Sequence, residues 1–164
     1  PVPATGCGNE NQNQSRFPSG HYYKTFQADN FQIKYPNWSG IDQKDLLTPD
    51  KTKVAVESGG CTFVITINKI PAGINFKDHV EQEVKQQLEQ VQGSVLKEDI
   101  KDKTSLVESE ITLSGIKLHS YSYGALTSPD TAYYSAFISR AEDFENACQP
   151  YLDETITSLV FSSK

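Results

Sequence analysis

The sequence predicts an α+β fold: a mainly antiparallel sheet of about six strands covered by two main helices. Two observations carry that prediction. The run Cys61-Thr-Phe-Val-Ile-Thr-Ile-Asn-Lys-Ile70 is β-branched or aromatic on both sides of its alternation, as in a strand covered on both faces. After a Pro-Ala-Gly break, Phe76, Val80, Val84, Leu88 and Val91 recur at helical spacing among Lys, Asp, Glu and Gln, which makes one apolar stripe on a polar helix. A buried strand followed by a one-faced helix requires a sheet with a helix lying on it.

The elements follow in order. Pro1 to Ser19 has few large apolar residues and reads as a flexible polar tether, and residues 20–164 read as one domain. Tyr22, Tyr23 and Phe26 precede Asp29-Asn30, after which Phe31, Ile33 and Tyr35 alternate with Gln32 and Lys34 up to Pro36, a half-buried strand. Val54 and Val56 mark a short strand, and Ser58-Gly59-Gly60 reverses it into the Cys61 strand as a hairpin. Asn75 is placed to cap the Phe76 helix, Asp78 sits in its first turn, and Gly93 is expected to close it. Ser94–Ile100 is a weaker strand. Val107, Ile111 and Leu113 lie on one side of the next, and Ser114-Gly115 turns the chain back into Ile116–Gly124. After Thr127–Asp130, Ala132–Ser139 completes an antiparallel meander. Arg140–Asn146 reads as a polar, acidic loop. Leu152, Ile156, Leu159 and Val160 then predict a second amphipathic helix running almost to the end of the chain.

Composition narrows the function classes. The chain has 164 residues, 15 Lys and Arg against 21 Asp and Glu, net charge −6 and a pI near 5.0. An acidic chain is a poor partner for a phosphate backbone, so nucleic acid is not expected. No apolar run approaches the ~20 residues that span a bilayer. There is no methionine, which fits a removed initiator or a start after a processed leader. Cys7, Cys61 and Cys148 lack the spacings of a zinc site. They are either three unrelated thiols or a Cys61–Cys148 disulfide with Cys7 left over, the second requiring an oxidising compartment.

Ala4-Thr5-Gly6-Cys7 resembles the end of a bacterial lipoprotein signal, with Cys7 as the lipid attachment residue and the Asn/Gln-rich stretch after it as a spacer. The alternative is an incidental exposed thiol. Phe31-x-Ile33-x-Tyr35-Pro36 followed by Trp38 resembles the opening strand and turn of the PsbP-like family. Thr157-Ser158-Leu159-Val160-Phe161 resembles that family's closing Ser-Phe-x-Phe. No Gly precedes Trp38, and Leu159 stands where the family usually carries Phe. The resemblance spans about Tyr22 to Phe161. It implies an α/β/α sandwich, shared with a Ran-binding nuclear-import factor, and a non-enzymatic accessory or binding role, often outside the cytoplasm. Nothing in this sequence matches a photosystem- or metal-binding residue pattern.

His21, His79 and His119 are too far apart for metal-ligand spacing, and His79 is expected to be solvated on the first turn of its helix. His119 shares a strand face with Lys117, Tyr121 and Tyr123, with Tyr133 and Tyr134 across the meander. This tyrosine-rich surface is the candidate ligand or partner face, because tyrosine joins a flat apolar ring to a polar tip. Ordinary cross-strand pairing under a helix is the other reading. Glu142-Asp143-Phe144-Glu145 lacks the spacing and glycine of a calcium loop and reads as solvated charge. No Gly-x-Ser-x-Gly, Cys–His pair or phosphate loop marks an enzyme, and no cofactor is expected. These observations favour a monomeric extracytoplasmic accessory domain that binds a protein partner or membrane complex, tethered through its N-terminus. A small-ligand carrier or hydrolase using the His119 face is the alternative.

Overall fold

The hairpin at Ser58-Gly59-Gly60 joins two neighbouring strands of the main sheet. Gly60 adopts φ +90°, a conformation that side chains resist, and the chain reverses there between β4 (Thr52–Ser58) and β5 (Cys61–Lys69). The protein is described here by a computed structural model, covering residues 23–46 and 49–162. Cα packing divides it into two units: Trp38–Gln149, and the described residues up to Asn37 together with those from Pro150. The tether and Cys7 lie outside the described residues.

The Trp38–Gln149 unit is built on one sheet in the order β3-β4-β5-β9-β8-β7-β6, antiparallel throughout. Its remaining strands are β3 (Ser39–Gly40), β6 (Gln92–Ile100), β7 (Thr104–Leu113), β8 (Ile116–Ser128) and β9 (Thr131–Arg140). The expected meander is therefore present, with β6 as a full nine-residue strand. At the β7–β8 turn Ser114 and Gly115 both have positive φ, 52° and 79°, the twist a two-residue hairpin needs.

Helix α1 (Phe76–Gln90) lies on one face of this sheet. The Asn75 side chain accepts the Asp78 N–H at 2.8 Å, as the cap signal predicts. Phe76 and Val80 are buried with Ile70 and Ala132, while Val84, Ile100, Leu126 and Tyr134 pack around them. Gly93 does not close the helix. The chain is already extended at Val91, and Gly93 belongs to β6. A Cβ there would stand 2.6 Å from Leu88 Cδ2 and 3.1 Å from the Glu110 carbonyl oxygen, so a larger residue would displace the Leu88 side chain.

The opposite face carries Cys61, Phe63 and Ile65 of β5 and Tyr133 and Phe137 of β9, all essentially inaccessible. Phe63 and Phe137 are direct partners with ring centroids 4.7 Å apart. The expected loop after β9 is instead a 3₁₀ turn (Ala141–Asp143) running into the short helix α2 (Phe144–Ala147). Cys148, which follows α2, is bonded to Cys61 across 87 positions of sequence.

In the other unit the expected strand β2 (Phe31–Pro36) is joined through Asp29-Asn30 to β1 (Tyr23–Gln27) in a hairpin that the sequence reading did not include, with Phe31 and Ile33 fully buried. Helix α3 (Gln149–Thr157) is shorter than its apolar stripe predicts, ending before Leu159. Val160–Phe161 forms β10, pairing with β2 and half exposed. The cause is local. Thr157 and Ser158 hydroxyls donate to the carbonyls of Asp153 and Thr155, both at 2.6 Å, and Ser158 Oγ accepts the Lys34 N–H at 2.8 Å. Ser158 thus turns the chain out of the helix and onto β2. The main sheet has one strand beyond the expected six, the two-residue β3, and the equally short β10 joins β1 and β2 in a second sheet; neither has a periodicity to read.

Candidate functional site

Side chains alternate across a strand, so the register decides which of the predicted residues meet. His119 is opposite Glu110 on β7 and Ser139 on β9, Tyr121 is opposite Glu108 and Phe137, and Tyr123 is opposite Leu106 and Ser135. His119, Tyr121 and Tyr123 therefore share the face away from α1, as expected. Tyr133 shares it too, opposite Ala125, but is fully buried, and burial pushes its hydroxyl ionisation well above the usual tyrosine range. Tyr134 departs from the expected surface. As the residue after Tyr133 on one strand it projects to the α1 face.

The tyrosine face thus has two parts. Across β5 and β9 it is closed. Over β7 and β8 it is half-buried, with Leu106, Glu108, Glu110, His119, Tyr121 and Tyr123 all partly accessible. His119 Nε2 lies 3.0 Å from Glu108 Oε2, a carboxylate two residues along the neighbouring strand from its direct partner Glu110. The Phe144 ring packs on the imidazole with centroids 4.1 Å apart. A charge-assisted bond and an aromatic cover together fix the ring in one orientation. Burial also raises the Tyr123 hydroxyl above its ordinary value. Ser139, across from His119, donates its hydroxyl to the Arg140 carbonyl at 2.9 Å.

A shallow depression of about 270 Å³ adjoins this face at the hairpin end. Gly115, Ile116, Lys117, Arg140, Ala141 and Glu142 line it, not His119 or Tyr121. Its charges pair loosely: Lys117 with Glu110 at 3.8 Å and Arg140 with Glu142 at 3.7 Å. Among the described residues no three His, Cys, Asp or Glu side chains gather as a metal-binding group.

The α1 face holds a polar group the sequence reading missed. His79 is not solvated but 6% exposed. Its Nδ1 lies 3.1 Å from the Tyr134 hydroxyl and its Nε2 3.5 Å from Glu83, one helical turn on. Tyr134 lies parallel to Phe76, with ring planes 12° apart, and Gly124 leaves room for its ring, since a Cβ there would stand 2.7 Å from Tyr134 Cδ1. Burial, then the Glu83 charge, hold the Tyr134 phenol protonated far above its usual range. A signal was present: His79 is three residues after Phe76 and next to Val80, on the edge of the apolar stripe.

No family model and no curated protein matches the sequence. Solved structures do. The chain is similar to PsbP of the cyanobacterium Synechocystis sp., with a TM-score of 0.63 and 12% identity over 85% of this chain and 92% of that one. It is similar also to PA94 of Pseudomonas aeruginosa, a protein of unknown function, with a TM-score of 0.51 and 12% identity over 76% of this chain and 87% of that one. The fold is PsbP-like and α+β, as the motifs around Phe31 and Leu159 implied. No helix among the described residues is long and apolar enough to cross a membrane.

Proposed function

We propose that this chain is a non-enzymatic, extracytoplasmic accessory domain that binds a protein partner or a membrane-bound complex through the half-open part of its tyrosine face. The observation that carries the proposal is the row His119, Tyr121 and Tyr123 beside Glu108 and Glu110. Partly accessible aromatic rings with polar tips, held in place beside ordered charge, are the groups from which binding hot spots are made. The PsbP-like fold supports an accessory role. The Cys61–Cys148 bond supports an oxidising compartment, since such bonds are rare where thiols are kept reduced. The polar N-terminal stretch with Cys7 at its start supports a lipid tether. A carrier or hydrolase has less support, because Phe144 covers the His119 ring and the neighbouring depression is lined by other residues.

The test is a photoreactive phenylalanine at position 121 in the full-length chain, irradiated in its native host, with a second at the exposed position 85 on α1 as control. One adduct formed at 121, absent at 85 and lost in His119→Ala, supports the proposal. Equal adducts at both positions, or none at 121, overturn it. Metabolic palmitate labelling tests the tether separately: label lost in Cys7→Ser is expected, and an unlabelled parent chain removes the anchor.

A further inference from the structure

The seven-stranded sheet has two edges, and they are protected unequally. One ends in β3, only two residues long, which is a common way to blunt an edge. The other is β6, nine residues long and exposed along almost its whole length. In an antiparallel ladder every second residue of an edge strand points its N–H and C=O away from its only neighbour. Those groups on β6 face outward with no further strand among the described residues to take them.

The protection along β6 is itself uneven. A register shift between Val95 and Lys97 bends the ladder, and Lys97, Glu98 and Asp99 follow it. A bulge and a run of charge are devices that stop strand addition. They guard only the C-terminal half. The half before them, Gln92-Gly-Ser-Val-Leu96, carries no charge, pairs regularly with β7 from Gln92 to Val95, and exposes Val95 by 37% and Leu96 by 50%.

The surroundings of this half define what fits. On the α1 side, Leu88 sits over Gly93, and Val91 and Val95 continue an apolar shoulder beside the edge. On the other side Ser94 is paired with Glu110, whose carboxylate is only loosely engaged by Lys117 at 3.8 Å. We propose that Gln92–Leu96 is a strand-addition site that takes an extended segment of a partner protein, apolar residues toward α1 alternating with basic residues toward Glu110. Main-chain bonds supply the affinity and the alternating side chains the selectivity. The net charge of −6 favours the same basic partner. A second copy is a poorer occupant: a two-fold pairing centred on Lys97 or on Glu98 sets like charges directly opposite each other, and one centred on Ser94 sets Gln92 opposite Leu96 and Gly93 opposite Val95, which brings no basic residue of the unguarded half toward Glu110. This site lies apart from the His119 row, so its failure would leave the tyrosine-face proposal standing.

The probe is a short peptide of alternating valine and lysine, titrated into the full-length, disulfide-bonded protein and followed by backbone NMR. Amide shifts centred on Gln92–Leu96, with exchange slowed at every second residue, are expected. Methylating the peptide nitrogens on one edge should abolish binding, and replacing lysine by glutamate should weaken it at least about fivefold. Val95→Lys, at an exposed position, should weaken binding about fivefold while leaving the spectrum elsewhere unchanged. Equal binding of the methylated peptide, shifts centred on β10 or on Tyr121, or no binding at all would overturn the proposal. Concentration-dependent protection of β6 without peptide would also overturn it, by assigning the edge to a second copy of this chain.

Discussion

The two faces of the seven-stranded sheet each hold a histidine beside a carboxylate and an aromatic ring, yet they differ in kind. On the α1 face His79 is sealed in, with Tyr134 on one nitrogen and Glu83 on the other. On the tyrosine face His119 leans on Glu108 and Phe144 and keeps part of its surroundings open, its side chain 16% and that of Glu108 24% exposed. A buried imidazole with both nitrogens engaged serves packing, because leaving either one unmet in a dry core is costly. A half-open one still has surface to offer. Residue type alone does not separate the two roles. Cover does.

The faces are also held by different forces, and the largest predicted effect tests this. The tyrosine face is tied to the segment after α2 by the Cys61–Cys148 bond. In the chain-entropy account, closing a loop of that size contributes roughly 4–5 kcal/mol. The paired Cys61→Ser, Cys148→Ser variant should therefore lose about that much in urea unfolding, and a loss below about 1 kcal/mol would mean the bond constrains little. The α1 face has no such covalent tie and relies on packing and the His79–Tyr134 contact. Phe76→Ala should cost about 3–4 kcal/mol by the cavity it leaves against Ile70, Val80 and Tyr134.

A smaller effect separates the two histidines. Tyr134→Phe removes the hydroxyl that meets His79 and should destabilise by about 1–2 kcal/mol, since the imidazole nitrogen is left buried. Tyr121→Phe, on the half-open face, should change stability by less than about 0.5 kcal/mol. Equal losses would erase the distinction between the faces. Alkaline titration gives a final contrast. Tyr133 and Tyr134 have ionisation raised in the folded state, Tyr133 mainly and Tyr134 first by burial. Stability is then fully present below the ordinary tyrosine pKa of about 10 and is lost as pH rises beyond it, because only the unfolded chain ionises freely there. Phenolate absorbance of these two tyrosines should appear together with unfolding, and reversible ionisation of Tyr134 in the folded protein would contradict its burial.

Much of this arrangement was legible because short-range chemistry carried it. Asn75 caps α1, Ser114-Gly115 makes the hairpin, and the alternation of β8 set His119, Tyr121 and Tyr123 on one side. Where sequence reasoning went astray, long-range partners decided. Ser158 leaves the helix because a β2 amide meets its hydroxyl, so Leu159 and Val160 fall out of the apolar stripe they extend. β6 was legible only weakly, as Ser94–Ile100, because Val95, Leu96 and Ile100 follow no alternation, and its pairing with β7 extends it back to Gln92. Tyr133 and Tyr134 looked like one surface because their sequence neighbourhood hides the pleat between them. The edge at Gln92–Leu96 has no motif at all, since its character comes from the neighbour it lacks.

The Cys61–Cys148 bond has a consequence for how the molecule survives damage. Positions 61 and 148 enclose β5, α1, β6, β7, β8, β9 and α2 in one covalent ring. A single peptide cleavage inside that ring, at the Ser114-Gly115 tip for example, opens it without parting the pieces. The nicked chain would keep its mass and migrate whole until a reductant is added, when it would separate into two fragments. The ring makes one proteolytic cut a survivable event.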